Sequence, residues 1–170
     1  MGGASRWWLN GSVAALNADL TKRGGSLCLR QGSAPEVLAT LLADTGASAI
    51  HVTRGYESWE MELEKAVARA CEAAGAAFRV FGGRLLFEPE AIVTSDGKPY
   101  RVFTPFWKAC LAAGAPRTPL PQPKRLRFAE AKSDRLEVLK LLATRPDWAQ
   151  GLRDTWQPGE ARALARLGTF

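Results

Sequence analysis

The feature that most constrains this chain is a repeated alternation of short apolar runs with longer segments whose apolar residues recur at helical spacing, separated by glycines. Leu9, Val13, Leu16 and Leu20 fall at i, i+4, i+7 and i+11, which puts them on one face of a helix, with Ser5 as its expected cap and Gly24-Gly25 as its stop. Ser26 to Arg30 then reads as a strand and Gln31-Gly32 as a turn. Ser33-Ala-Pro-Glu36 has the form of a capping box opening a helix through Leu38, Leu41 and Leu42 to Gly46. The unit recurs: a strand at Ser48 to Thr53, a loop at Arg54-Gly-Tyr-Glu57, a helical stripe of Leu63, Val67, Ala70 and Ala74 ended by Gly75, and a third strand at Ala77 to Phe81. Strands apolar on both faces that alternate with helices predict an α/β class, with a parallel sheet covered on both sides and right-handed crossovers.

The character changes after Gly82-Gly83. A Leu85-Leu86-Phe87 run precedes a turn at Ser95-Asp96-Gly97, and Thr104 is the expected cap of a helix with Pro105 at its first position. Residues 114–127 hold four of the ten prolines and read as an extended linker. The expected organisation is an α/β domain over 1–113, a Pro-rich basic linker over 114–132, and helical segments over 133–170, at Ser133 to Ala143 and Pro158 to Phe170. In the last of these Leu164 and Leu167 continue a helical stripe to the terminus with no stop signal.

Composition narrows the functional classes. A chain of 170 residues, 46% hydrophobic and 24% charged, suits one globular domain with an appendage and excludes collagen-like, disordered and disulfide-scaffold classes. The formal net charge of +6 would draw polyanions if it were concentrated, but the arginines are scattered and a solvated surface is the plainer reading. Cys28, Cys71 and Cys110 are odd in number, have no CxxC spacing, and point to a reducing, cytoplasmic setting. No apolar run reaches the ~18–20 residues needed to span a bilayer, and no GxGxxG, P-loop or metal-ligand cluster is present.

Four blocks taken in order resemble the N-terminal domain of the DNA photolyase/cryptochrome family: Ser5-Arg-Trp-Trp-Leu9, Tyr56-Glu57, Leu85-Leu-Phe-Glu-Pro89, and, most specific of all, Tyr100-Arg-Val-Phe-Thr-Pro-Phe-Trp-Lys108. The likeness runs on through the linker to Trp156-x-Pro-Gly-Glu160. It implies a Rossmann-like doubly wound parallel sheet, here lacking its first two strands, with a helical C-terminal appendage. The family's opening strand, helix and second strand are expected upstream of Met1, and its flavin-binding region beyond Phe170. With those two strands missing, strand 26–30 and strand 48–53 would be parted by two vacancies of about 4.8 Å each. An upstream start, closure of the remaining strands, or a second chain filling the gap would each remove the unpaired backbone groups. The resemblance implies a parent that uses FAD to split pyrimidine dimers in light, through a helical FAD-binding domain that also makes the main DNA contacts. The chain alone is expected to bind DNA weakly and to lack repair activity. A stand-alone antenna or nucleotide-binding module and a non-functional fragment are the alternatives, and self-association through an exposed sheet edge is expected.

Candidate ligand contacts lie in Arg54 to Met61, which follows a strand's carboxyl end and opens a helix. The resemblance places Glu60 at the carboxylate that contacts a reduced-folate antenna and Trp59 where folate binders tend to carry an amide. Gly55 falls where deazaflavin binders tend to carry an acid. The alternative is structural: Tyr56, Trp59 and Met61 pack the helix entry while Glu57 and Glu60 favour its positive end. His51, inside an apolar strand, is expected in the core. Trp7 and Trp8 are expected as packing residues, Phe103, Phe106 and Trp107 face the core or the helical domain, and Lys124-Arg125-Leu126-Arg127 is a solvated stretch.

Overall fold

The computed structural model describes residues 1–115, 118–123, 125–142 and 146–169. Parts of the linker expected over 114–132, Lys124 of the basic run, Ala143 at the end of the helix expected over 133–143, and Phe170 lie outside the described residues. The chain forms two compact units, one made of Met1–Val37 with Pro123–Phe170 and the other of Leu38–Gln122.

In the second unit a two-stranded parallel sheet pairs β1 (Ala49–Thr53) with β2 (Ala77–Phe81), joined by α3 (Ser58–Ala73). The preceding helix, α2 (Ala34–Thr45), ends where Gly46 takes a φ of 64° and donates to the Leu42 carbonyl. Gly75, at φ 68°, stops α3 in the same way. α3 packs on β2 and buries Val67 and Cys71, one helical turn apart. A fully buried valine contributes roughly 1.5–3 kcal/mol. The register pairs Ile50 with Phe78 and Val52 with Val80, all half-buried, whereas His51, Thr53, Arg79 and Phe81 are exposed on the other face. The sheet is thus covered on one face within this unit, and not on both as the apolar runs suggested. His51 is corrected with it: the register sets it beside Arg79, on the open face, with its ring 5.2 Å from that of Phe81. Beyond β2 the chain makes a 3-10 turn at Pro89–Ala91 and a tight turn in which Gly97, at φ 74°, lets Thr94 N–H reach the Lys98 carbonyl. α4 (Phe103–Ala112) follows with Val102 as its N-cap, so Thr104 lies within the first turn and does not cap it.

In the first unit α1 (Gly3–Thr21) starts ahead of Ser5, with Gly2 as its N-cap. The strand expected at 26–30 is absent. That segment belongs to no sheet, and its alternate amides turn to side chains: Leu27 N–H to Asn17 Oδ1 (2.9 Å), Leu29 N–H to Ser133 Oγ (2.9 Å) and Gln31 N–H to Asp134 Oδ2 (3.1 Å). The Leu29 carbonyl accepts from Asp134 N–H at 2.7 Å. Its period-two donors are satisfied without a neighbouring strand. The helix expected over 133–143 reduces to a 3-10 turn at Leu136–Leu139, ended by Lys140 at φ 48°. α5 (Gln150–Thr155) and α6 (Glu160–Leu167) complete the unit.

Small residues on α1 receive the segment before α6. A Cβ at Gly3 would lie 2.7 Å from the Trp148 ring, one at Gly11 would lie 2.6 Å from Pro158, and one at Gly159 would lie 2.8 Å from the Ala15 Cβ. Trp8 meets Trp156 edge to face at 6.1 Å, and the Arg166 guanidinium lies 4.7 Å above the Trp156 ring.

Candidate functional site

Parallel pairing sends the segments after β1 and β2 out at the same, carboxyl, edge of the sheet, the edge at which open α/β sheets bind ligands. Arg54 N–H bonds the Phe81 carbonyl at 2.8 Å and holds the two exits together. Residues 54–57 form the first loop, and 82–88 the second.

The first loop is built on glutamates. Glu57 is the N-cap of α3, and Glu60, at the third helical position, folds back so that its Oε2 accepts from Tyr56 N–H (2.9 Å) and Glu57 N–H (3.2 Å). Its Oε1 pairs with the Arg84 guanidinium from the second loop. Glu64 Oε1 accepts from Gly55 N–H at 2.6 Å, and Glu57 Oε2 accepts from the Trp59 indole N–H at 2.6 Å. The Tyr56 hydroxyl donates to the Glu88 carboxylate, 2.8 and 2.9 Å from its two oxygens, with the Arg54 guanidinium 3.8 Å from Oε2. Two glycines make the room. A Cβ at Gly55 would lie 2.3 Å from the Glu60 Cβ, and one at Gly82 would lie 2.0 Å from Glu88 Oε1.

The electrostatics follow the contacts. The Arg84 hydrogen bond, and after it the Glu57 amide, holds the Glu60 carboxyl below the usual glutamate range, and the same pair raises Arg84. Partial loss of solvent, then the Glu88 carboxylate, raises the Tyr56 phenol.

The structure brings Tyr56, Glu57, Trp59 and Glu60 into one loop and helix entry. Their polar groups are largely engaged by the chain itself. A carboxylate offers about four acceptor positions, and Glu60 already receives two amides and a guanidinium. The Trp59 ring is exposed, but its N–H is taken by Glu57. An acidic side chain at position 55 would displace Glu60. Sequence reasoning included Arg54 in the candidate loop and Glu88 in the Leu85-to-Pro89 block but gave neither a partner, and it missed Glu64 and Arg84.

The remaining candidates are not among these residues. Phe103 and Trp107, with stacked rings 6.3 Å apart, and Phe106 are exposed on α4. Trp7 and Trp8 belong to the packing of α1 in the first unit, 6.2 Å apart. Arg125, Leu126 and Arg127 are exposed. Among the described residues no group of three His, Cys, Asp or Glu could hold a metal ion.

The family model described as DNA photolyase matches residues 1–124. The deoxyribodipyrimidine photo-lyase of Agrobacterium fabrum is 42% identical over 172 residues, which cover 100% of this chain and 36% of that protein. Cryptochrome-1 of Arabidopsis thaliana is 30% identical over 177 residues, covering 99% of this chain and 25% of the relative. Among solved structures, a bacterial class III photolyase from Agrobacterium tumefaciens superposes with a TM-score of 0.91 at 42% identity, over 98% of this chain and 35% of that one. The chain spans about a third of the length of these Agrobacterium relatives.

Proposed function

The chain belongs to the DNA photolyase family, and from that premise we propose that it serves as the N-terminal α/β domain of a longer, light-driven DNA-repair flavoprotein. The observation that carries this reading is the match of the whole chain to about a third of a deoxyribodipyrimidine photo-lyase. FAD, when bound by a helical domain corresponding to the remaining length of the relatives, supplies the electron transfer that splits pyrimidine dimers. This chain's own part is to dock that domain. The exposed rings of Phe103, Phe106 and Trp107 and the exposed Leu164 and Leu167 of α6 suit such a partner. The three cysteines are free thiols and no helix among the described residues is long and apolar enough to cross a membrane, so we place the protein in the cytoplasm.

The purified 170-residue chain tests the reading. It should show neither light-dependent repair of cyclobutane dimers nor a flavin absorption band, and either one in the isolated chain overturns the assignment of the chemistry to the helical domain.

A second reading, a chromophore- or nucleotide-binding module, is favoured by the ligand-binding edge of the sheet. Since the glutamates are engaged, a ring ligand at that edge would rest on the exposed Trp59 indole. Equilibrium dialysis with methenyltetrahydrofolate, deazaflavin, FMN and ATP decides: stoichiometric binding abolished by Trp59→Ala supports the module, and no binding removes it.

A further inference from the structure

We infer that Glu60 and Arg84 are positioning residues that fasten the loop after β1 to the loop after β2, and that Glu60 is committed to this fastening and is not a ligand contact. The inference goes beyond the family reading and holds whether or not the chain binds a chromophore.

The geometry leaves Glu60 little else to do. The first amides of a helix have no partner within it, and Glu60 Oε2 bonds two donors at the entry of α3, those of Tyr56 and Glu57. Its other oxygen takes a guanidinium from 24 residues further on, in the neighbouring loop. The missing side chain at Gly55 lets Glu60 lie back over the loop backbone. Glu60 is the less accessible partner, its side chain 16% exposed against 51% for Arg84, so the pair is sheltered at its acidic end. With the Tyr56 backbone held, its phenol is aimed at Glu88, which makes a second tie between the same two loops. The groups facing that phenol are Glu88, Arg54, Glu90 and Arg84. Glu60 reaches it through the backbone it holds.

Two readouts on the 170-residue chain test this: amide hydrogen exchange at Tyr56 and Glu57, and spectrophotometric titration of Tyr56 in a Tyr100→Phe background, since the chain has two tyrosines. Glu60→Ala should accelerate exchange at both amides by about ten- to a hundredfold, the change expected on losing a hydrogen bond to a charged acceptor, while α1 exchanges as before. Glu60→Gln, at a residue whose charge does not act on the phenol, should return the Tyr56 titration towards the ordinary tyrosine range, whereas Arg84, whose charge does act on it, is read by exchange: Arg84→Met should speed the Tyr56 and Glu57 amides and Arg84→Lys should restore them. A residue that merely adds global stability would speed exchange everywhere and leave the titration of the folded protein unmoved. Parent-like exchange at 56 and 57 in folded Glu60→Ala or Arg84→Met, or a parent-like Tyr56 titration in Glu60→Gln, overturns the inference. If Glu60→Ala does not fold, Glu60→Gln keeps an acceptor for the amides and breaks the ion pair, and must behave as Arg84→Met does in exchange. Dialysis against methenyltetrahydrofolate separates the two readings. Binding that Glu60→Gln alone abolishes makes Glu60 a ligand contact and overturns the inference, whereas binding that survives Glu60→Gln supports it.

Discussion

At Gly55 a methyl group would overlap the Glu60 side chain at 2.3 Å, and at Gly82 it would overlap the end of Glu88 at 2.0 Å. The two overlaps differ in kind. The first involves a Cβ fixed to the helix, and the second a carboxylate that can swing away. Gly55→Ala should therefore cost about 1–3 kcal/mol, the usual penalty for overpacking, read as a lower urea midpoint. Gly82→Ala should cost less but break the Tyr56–Glu88 bond. Glu60 also sets a pH dependence. Its folded-state pKa is depressed, so its contribution is complete above the ordinary glutamate value and is lost as pH falls through the lower folded value. Urea midpoints measured downward from about pH 4.3 should fall more steeply for the parent than for Glu60→Gln. In sequence, residues 54–61 were legible as a helix entry because capping is local. Arg84, and the pairing of Glu88 with Tyr56, were not, since nothing within the loop specifies which distant cation or carboxylate will meet it.

Helix stops were the most legible elements. Gly24, Gly46 and Gly75, read as helix stops, each take a positive φ. Helix starts were less so: α1 and α4 begin ahead of Ser5 and Thr104 with no side-chain cap bond. The Leu136 stretch carries helical periodicity, yet Lys140 adopts a left-handed conformation that ends it. Gly159 matters most at this scale. It combines a φ of 120° with a Cβ position 2.8 Å from Ala15, where α6 is received on α1. Gly159→Ala should destabilise the first unit by about 1–3 kcal/mol, seen as earlier thermal loss of helical circular dichroism and a shifted Trp156 environment in fluorescence. An unchanged melt would show that this close approach is not needed.

For the molecule as a whole, no other described strand pairs with β1 or β2. A two-stranded sheet is marginal by itself, and open edges invite pairing with another chain. The chain should therefore self-associate as its concentration rises in sedimentation velocity, and Phe81→Lys, at an exposed position on β2, should weaken that association. A monomer throughout the concentration range would argue that the edges are covered. The α/β class, the helix stops and the family likeness were determined by the sequence alone, because periodicity, glycine dihedrals and motif blocks are properties of neighbouring residues. Tertiary structure alone decided that residues 27–31 bond to side chains from 17, 133 and 134, that His51 lies on an open face, and that the glutamates at the sheet's carboxyl edge hold the protein's own loops. A hydrogen-bonding group takes whichever partner the fold brings within about 3 Å, and for these groups several of those partners lie 24 to 104 residues away along the chain.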